Sequence, residues 1–154
     1  MLLRILIPSE VQAKLIQKLK ASGIQETGGI LMGEHVGENE FRVKELTVQS
    51  ETGSIARFVR SLAGCIESLR SFFKKTGSNY RRFNYLGEWH SHPSFALEPS
   101  YVDCETIESM ILDPRVGANF IILLLVKLQD GRLSASAFVF TPGTGPKRAS
   151  ISLE

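Results

Sequence analysis

The stretch ANFIILLLVKL, Ala118 to Leu128, limits what this chain can become more than any other. Its unbroken run of Ile, Leu and Val reads as a strand buried in a sheet that is covered on both faces. RLSASAFVF pairs with it across a turn at Asp130 and Gly131. Such a sheet needs helices to cover it, and three segments supply them. PSEVQAKLIQKLKAS carries Val11, Leu15, Ile16 and Leu19 at helical spacing behind Pro8 and Ser9, and Gly23 ends it. Between Phe58 and Phe73 the residues Val59, Leu62, Ile66, Leu69 and Phe73 recur at three and four. SYVDCETIESMILD begins a third helix at Ser100.

The remaining apolar segments read as strands: Leu2 to Ile7, TGGILMGEH with NEFRVKELTVQ as its hairpin partner across Gly37 to Asn39, and RRFNYLGEWHSH. Strands interleaved with helices predict an α/β (α+β) fold: a single mixed, curved β-sheet flanked by about three helices. At 154 residues the chain fits one domain, expected to span 1–141, with 142–154 as a C-terminal tail.

The charge pattern narrows the function. Eighteen basic and 16 acidic residues are scattered, so no basic block argues for nucleic acid. The broken cluster Lys74, Lys75, Arg81 and Arg82 reads as a solvated helix end and loop. MLLRILIPSE is too short, and too interrupted by Arg4 and Pro8, for a signal sequence or a membrane span, so no membrane partner is expected. Two distant cysteines, Cys65 and Cys104, suit reduced thiols and a cytoplasmic location.

Chemistry concentrates in GEWHSHPSFALEPSYVD, Gly87 to Asp103, which holds two of the three histidines. On a strand His90 and His92 share a face, while Ser91 and Trp89 point the other way. Pro93 ends the ladder, the chain loops through SFALEP, and Ser100 opens a helix with Asp103 in its first turn. Taken alone, Ser100 and Asp103 read first as a capping pair, and with the histidines also as a way of returning a carboxylate to them. Two imidazoles and one carboxylate form a three-ligand set that leaves a fourth position for water. His35 lies at the far end of its strand and is left out.

The order His90-Ser91-His92-Pro93, six residues, Ser100, two residues, Asp103 resembles the signature of the JAMM (JAB1/MPN/Mov34) zinc metalloprotease family, and QETGGILMGEH resembles its upstream glutamate segment. The resemblance implies a JAB1/MPN-like (cytidine-deaminase-like) sandwich. It implies one zinc ion held by His90, His92 and Asp103, with Glu26 as general base and Ser100 as donor to the oxyanion. Gly28 and Gly29 would let the strand pass close to that centre. The flanking residues are similar to prokaryotic JAB proteases encoded beside E1-like and E2-like proteins in bacterial anti-phage operons, including CBASS operons. That similarity implies a metallo-isopeptidase cleaving, or processing, a ubiquitin-like or otherwise conjugated protein substrate. Substrate contacts are expected at Ser54 and Arg57 in SETGSIAR, and at Phe95 and Leu97. Two other functions stay open: a non-catalytic, zinc-stabilised interaction module, and an amidase acting on small peptide-like or sulfur-carrier substrates.

Overall fold

The computed structural model describes residues 2–48 and 65–154. In chain order they form β1 (Arg4–Ile7), α1 (Ser9–Ser22), β2 (Gly28–Gly37), β3 (Glu40–Leu46), α2 (Ile66–Lys75), β4 (Phe83–Ser91), α3 (Tyr101–Leu112), β5 (Ile121–Gln129), β6 (Arg132–Thr141) and β7 (Thr144–Leu153). Both expected hairpins are present. Asn39 (φ 58°) turns β2 into β3, and Asp130 (φ 52°) with Gly131 (φ 75°) turns β5 into β6, the positive-φ chemistry that two-residue hairpins need. The start of the helix expected from Phe58 lies outside the described residues.

The expected open curved sheet is corrected in one respect: the seven strands close into a barrel in the order β1-β3-β2-β4-β5-β6-β7. Closure comes from β7, which runs antiparallel to β6 and parallel to β1, with Arg4 opposite Ser150 and Ile7 opposite Leu153. The supposed tail from Pro142 is therefore mostly strand. Of its ten residues only Ala149 is buried, and the apolar alternation of Ala149, Ile151 and Leu153 is confined to its last five residues. Its edge groups are satisfied by the partner strands instead, which removes the exposed edges of an open sheet.

One face of every strand lines a single interior cluster, into which α1 lays Val11, Leu15 and Leu19. Trp89 is fully buried there, as its alternation with His90 predicts, and its indole Nε1–H donates to the Thr47 carbonyl at 2.8 Å. The other face is covered by helices. α3 packs Ile107, Met110 and Ile111 on Ile121, Leu123, Leu125, Phe138 and Phe140, while α2 packs Phe72 against Ile30 and Met32. This second face carries the histidines, because His90 stands opposite Leu125 and Trp89 opposite Leu124 in the β4–β5 ladder.

Two glycines let strands approach closely. At Gly87 (φ 152°) an added Cβ would lie 1.9 Å from the Ile122 carbonyl oxygen, so only glycine lets β4 pair with β5 there. A Cβ at Gly29 would lie 1.9 Å from the Thr47 carbonyl oxygen. The clearance at Gly29 thus serves contact with the chain after β3, not with the histidine centre.

Candidate metal centre

The β4 ladder fixes both imidazoles. His90 lies within β4 opposite Gly28 of β2, and His92, one residue past the strand, still donates its backbone N–H to Val126 at 2.9 Å. Pro93 then releases the chain into a loop that the barrel holds by three successive carbonyls. Lys127 donates to Phe95 O at 3.1 Å, His92 Nδ1 lies 3.1 Å from Ala96 O, and Ser136 Oγ donates to Leu97 O at 2.6 Å. A carbonyl only accepts, so Nδ1 of His92 keeps its proton and Nε2 is the nitrogen that could serve a metal once its own proton is released.

Asp103 reaches the histidines through a helix cap. Ser100 Oγ accepts from Asp103 N at 3.0 Å, and Asp103 Oδ2 accepts from Ser100 N at 2.9 Å, a reciprocal capping box at the start of α3. The same carboxylate lies 2.9 Å from His90 Nδ1 through Oδ1 and 3.2 Å from His92 Nε2 through Oδ2. Cap and site are one arrangement, since the box sets the rotamer that points Asp103 at both rings. Ser100 uses its oxygen as acceptor, and its hydroxyl proton remains available on an exposed side chain.

Charge is concentrated here. Burial works against ionised Asp103, yet hydrogen bonds from His90 and then His92 hold its carboxyl far below the usual range. The hydrogen bond to Asp103 raises His92 above its ordinary value. For His90 burial again opposes the charge, but the Glu88 carboxylate and then the hydrogen bond to Asp103 push it up to about 10.

Glu88 is the residue that sequence reading missed. It is 2% exposed, lies two positions before His90 on the same strand face, and brings Oε1 to 3.5 Å from His90 Nε2. Burial raises its pKa. The two-residue strand period that pairs His90 with His92 would have found it.

Asp103 bridges the imidazoles directly, so among the described residues there is no ready-made three-donor cage. The donor chemistry nonetheless fits one ion. Bonds of roughly 2.0–2.1 Å around a tetrahedral zinc set neighbouring ligand atoms about 3.3 Å apart. The N···O separations of 2.9 and 3.2 Å, each to a different oxygen of Asp103, are close to that spacing.

The other expected site residues are distributed around this centre. Thr27 N donates to Ser91 Oγ, and Ser91 N to Thr27 O, both at 2.8 Å. Continued one residue further, that register would set Glu26, which is exposed, opposite His92. Phe95 is 60% exposed at the rim, its ring edge-on to His92 with centroids 6.2 Å apart. Leu97 instead packs inward against the α3 cluster, which corrects its expected role as an exposed contact. Ser54 and Arg57 lie outside the described residues.

Known proteins share this architecture and sequence. The solution structure of a protein from Desulfitobacterium hafniense superposes with a TM-score of 0.64 at 18% identity, covering 97% of this chain and 92% of that one, a likeness of fold. A protein of Enterobacter hormaechei subsp. hoffmannii called a CD-NTase/cGAS isopeptidase is 29% identical over 148 residues, covering 94% of this chain and 79% of the relative. The family model describing prokaryotic homologs of the JAB domain matches residues 8–137, from the start of α1 into β6, and the chain belongs to that family.

Proposed function

We propose that this chain is a zinc-dependent isopeptidase. It hydrolyses the amide between the C-terminal glycine of a ubiquitin-like or CD-NTase-type protein and a target lysine, or processes the corresponding precursor. The observation that carries the reading is the convergence of His90, His92 and Asp103 at the capped start of α3 in a chain of the JAB family. The relative called a CD-NTase/cGAS isopeptidase supports the substrate class, and with it a role in bacterial antiviral defence of the CBASS kind, in the cytoplasm beside E1- and E2-like partners.

His90 Nδ1, His92 Nε2 and an Asp103 oxygen would hold the ion. When bound, zinc supplies Lewis acidity and lowers the pKa of water from 15.7 to roughly 7. Glu26, exposed beside His92, takes the proton of the attacking water and returns it to the departing lysine amine. Ser100 donates its free hydroxyl proton to the oxygen on which charge develops, a contact made strongest in the transition state. Asp103 holds Ser100 in position through the capping box while it serves the metal. The exposed Phe95 ring offers an apolar contact to the chain on either side of the scissile bond.

The test pairs metal content with trapping. The purified protein should contain one zinc and lose hydrolysis on chelation. Glu26→Gln should keep the metal and lose roughly 10²–10⁴ in rate, the range expected for a general base. Glu26→Ala expressed with its neighbouring genes should accumulate a covalent conjugate identifiable by mass spectrometry. Full zinc occupancy with no hydrolysis and no conjugate would instead favour the interaction-module function, and turnover confined to small amides would favour the amidase.

A further inference from the structure

Glu88 is a charge where no charge is needed to fold a strand. It is 2% exposed on the face covered by α2 and α3, and its Oε2 has no hydrogen-bond partner among the described residues. Tyr85, on the same strand, has an equally orphaned buried hydroxyl. A buried carboxylate with an unmet oxygen is costly, and an apolar side chain would fill the space at lower cost. Glu88 does approach Nε2 of His90, at 3.5 Å, long for a hydrogen bond but on the side of the ring away from Asp103. His90 therefore has a carboxylate at each nitrogen, whereas His92 has a carboxylate at Nε2 and a backbone carbonyl at Nδ1.

We propose that Glu88 is a positioning residue for the metal centre. Its carboxylate takes the Nε2–H of His90 and leaves Nδ1, the nitrogen beside Asp103, as the metal-binding atom. The inference rests on the zinc reading above and adds to it what selects Nδ1 as the binding nitrogen of His90. Both histidines then present the nitrogen that faces Asp103, through opposite atoms: Nε2 in His92, fixed by Ala96 O, and Nδ1 in His90, fixed by Glu88. A carboxylate on the far nitrogen also makes the imidazole a better donor, and loss of such a partner typically lowers metal affinity by about 10–100-fold.

The experiment uses the full chain and compares wild type with Glu88→Gln and Glu88→Leu. Zinc affinity is measured by competition with a chromophoric chelator, and the ring nitrogens of His90 are assigned by long-range ¹H–¹⁵N NMR on the zinc-loaded protein. Glu88→Leu should bind zinc about 10–100-fold more weakly. Glu88→Gln, which keeps an acceptor but loses the charge, should fall between it and wild type and serves if the leucine variant does not fold. In the zinc-loaded variants the ring nitrogen of His90 that binds should no longer be held to Nδ1 alone, an outcome that a merely structural role for Glu88 does not produce. Unchanged zinc affinity in both variants, or a wild-type His90 bound through Nε2, would overturn the assignment while leaving the zinc reading intact. A wild-type protein that takes up no zinc would sink that reading, and this inference with it.

Discussion

The two faces of β4 are built from alternate residues of one short segment, yet they differ in kind. On the interior face Trp89 is fully buried with its N–H satisfied by Thr47, and Ser91 exchanges two hydrogen bonds with Thr27. On the helix-covered face Glu88, His90 and His92 gather ionisable groups, and an oxygen of Glu88 is left unpaired among the described residues. The first face obeys every rule of stable burial and the second breaks several, which is where function is expected in a natural sequence. Neighbouring residues one position apart should therefore fail in opposite ways.

The largest expected effects separate the faces outright. His92→Ala removes the lone pair at Nε2, and zinc binding and hydrolysis should both vanish. Trp89→Ala should lower stability by about 3–5 kcal/mol through the cavity it leaves. Below its melting temperature the surviving folded fraction should still bind one zinc. Chemical denaturation and elemental analysis on the same samples check both. If Trp89→Ala lost its zinc while still folded, the division between faces would collapse.

Ser100 sits where stability and chemistry meet, so its effect is smaller and split. Ser100→Ala should lower kcat by about 10²–10³ as the oxyanion donor is lost. It should also cost about 1 kcal/mol as the cap goes. Glycine is tolerated at this helix position at a cost of only a few tenths of a kcal/mol. Ser100→Gly should therefore share the kcat loss and spare the melting temperature. Equal activity in wild type and Ser100→Gly, with KM and zinc content unchanged, would reduce Ser100 to a cap.

The same contrast explains what could be read from the sequence. Helices α1 and α3 and both hairpins were legible because their signals are local, as with Asn39, Asp130 and Gly131 at the turns. The convergence of His90, His92 and Asp103 was legible because a two-residue period and a capping pair each fix a direction. Closure of the barrel was not, since β7 pairs in parallel with β1 from the opposite end of the chain and buries only Ala149. Glu88 was hidden for a related reason. A glutamate in a strand defaults to the solvent side, and its burial is decided by the helical layer packed over that face, which no local pattern records.

The smallest expected effect is a pH trend in the metal-free protein, and its sign follows from the crowded face alone. His90 is raised from 6.5 to about 10 by Glu88 and Asp103 acting against burial, so its contribution to stability is complete below pH 6.5 and is lost as pH rises towards 10. Glu88, raised by burial, acts in the same direction from its ordinary 4.5 upward. Asp103 has the opposite sign: its carboxyl is lowered, so its contribution is present above 3.8 and is lost as pH falls. The metal-free melting temperature should therefore be highest in mildly acidic solution and decline above pH 6.5. In Trp89→Ala, where the titrating face is untouched, the curve should keep this shape at a lower temperature. In His90→Ala the decline above pH 6.5 should become shallower, because one of the two raised imidazoles that lose protons there is gone and only His92 remains. Zinc should counter the decline in the wild type, since metal and proton compete for the same imidazole and metal gains as protons are withdrawn. Calorimetry across pH 4–10 with and without zinc measures all of these curves. A decline of equal slope in His90→Ala and wild type would move the origin of the trend away from the histidine face.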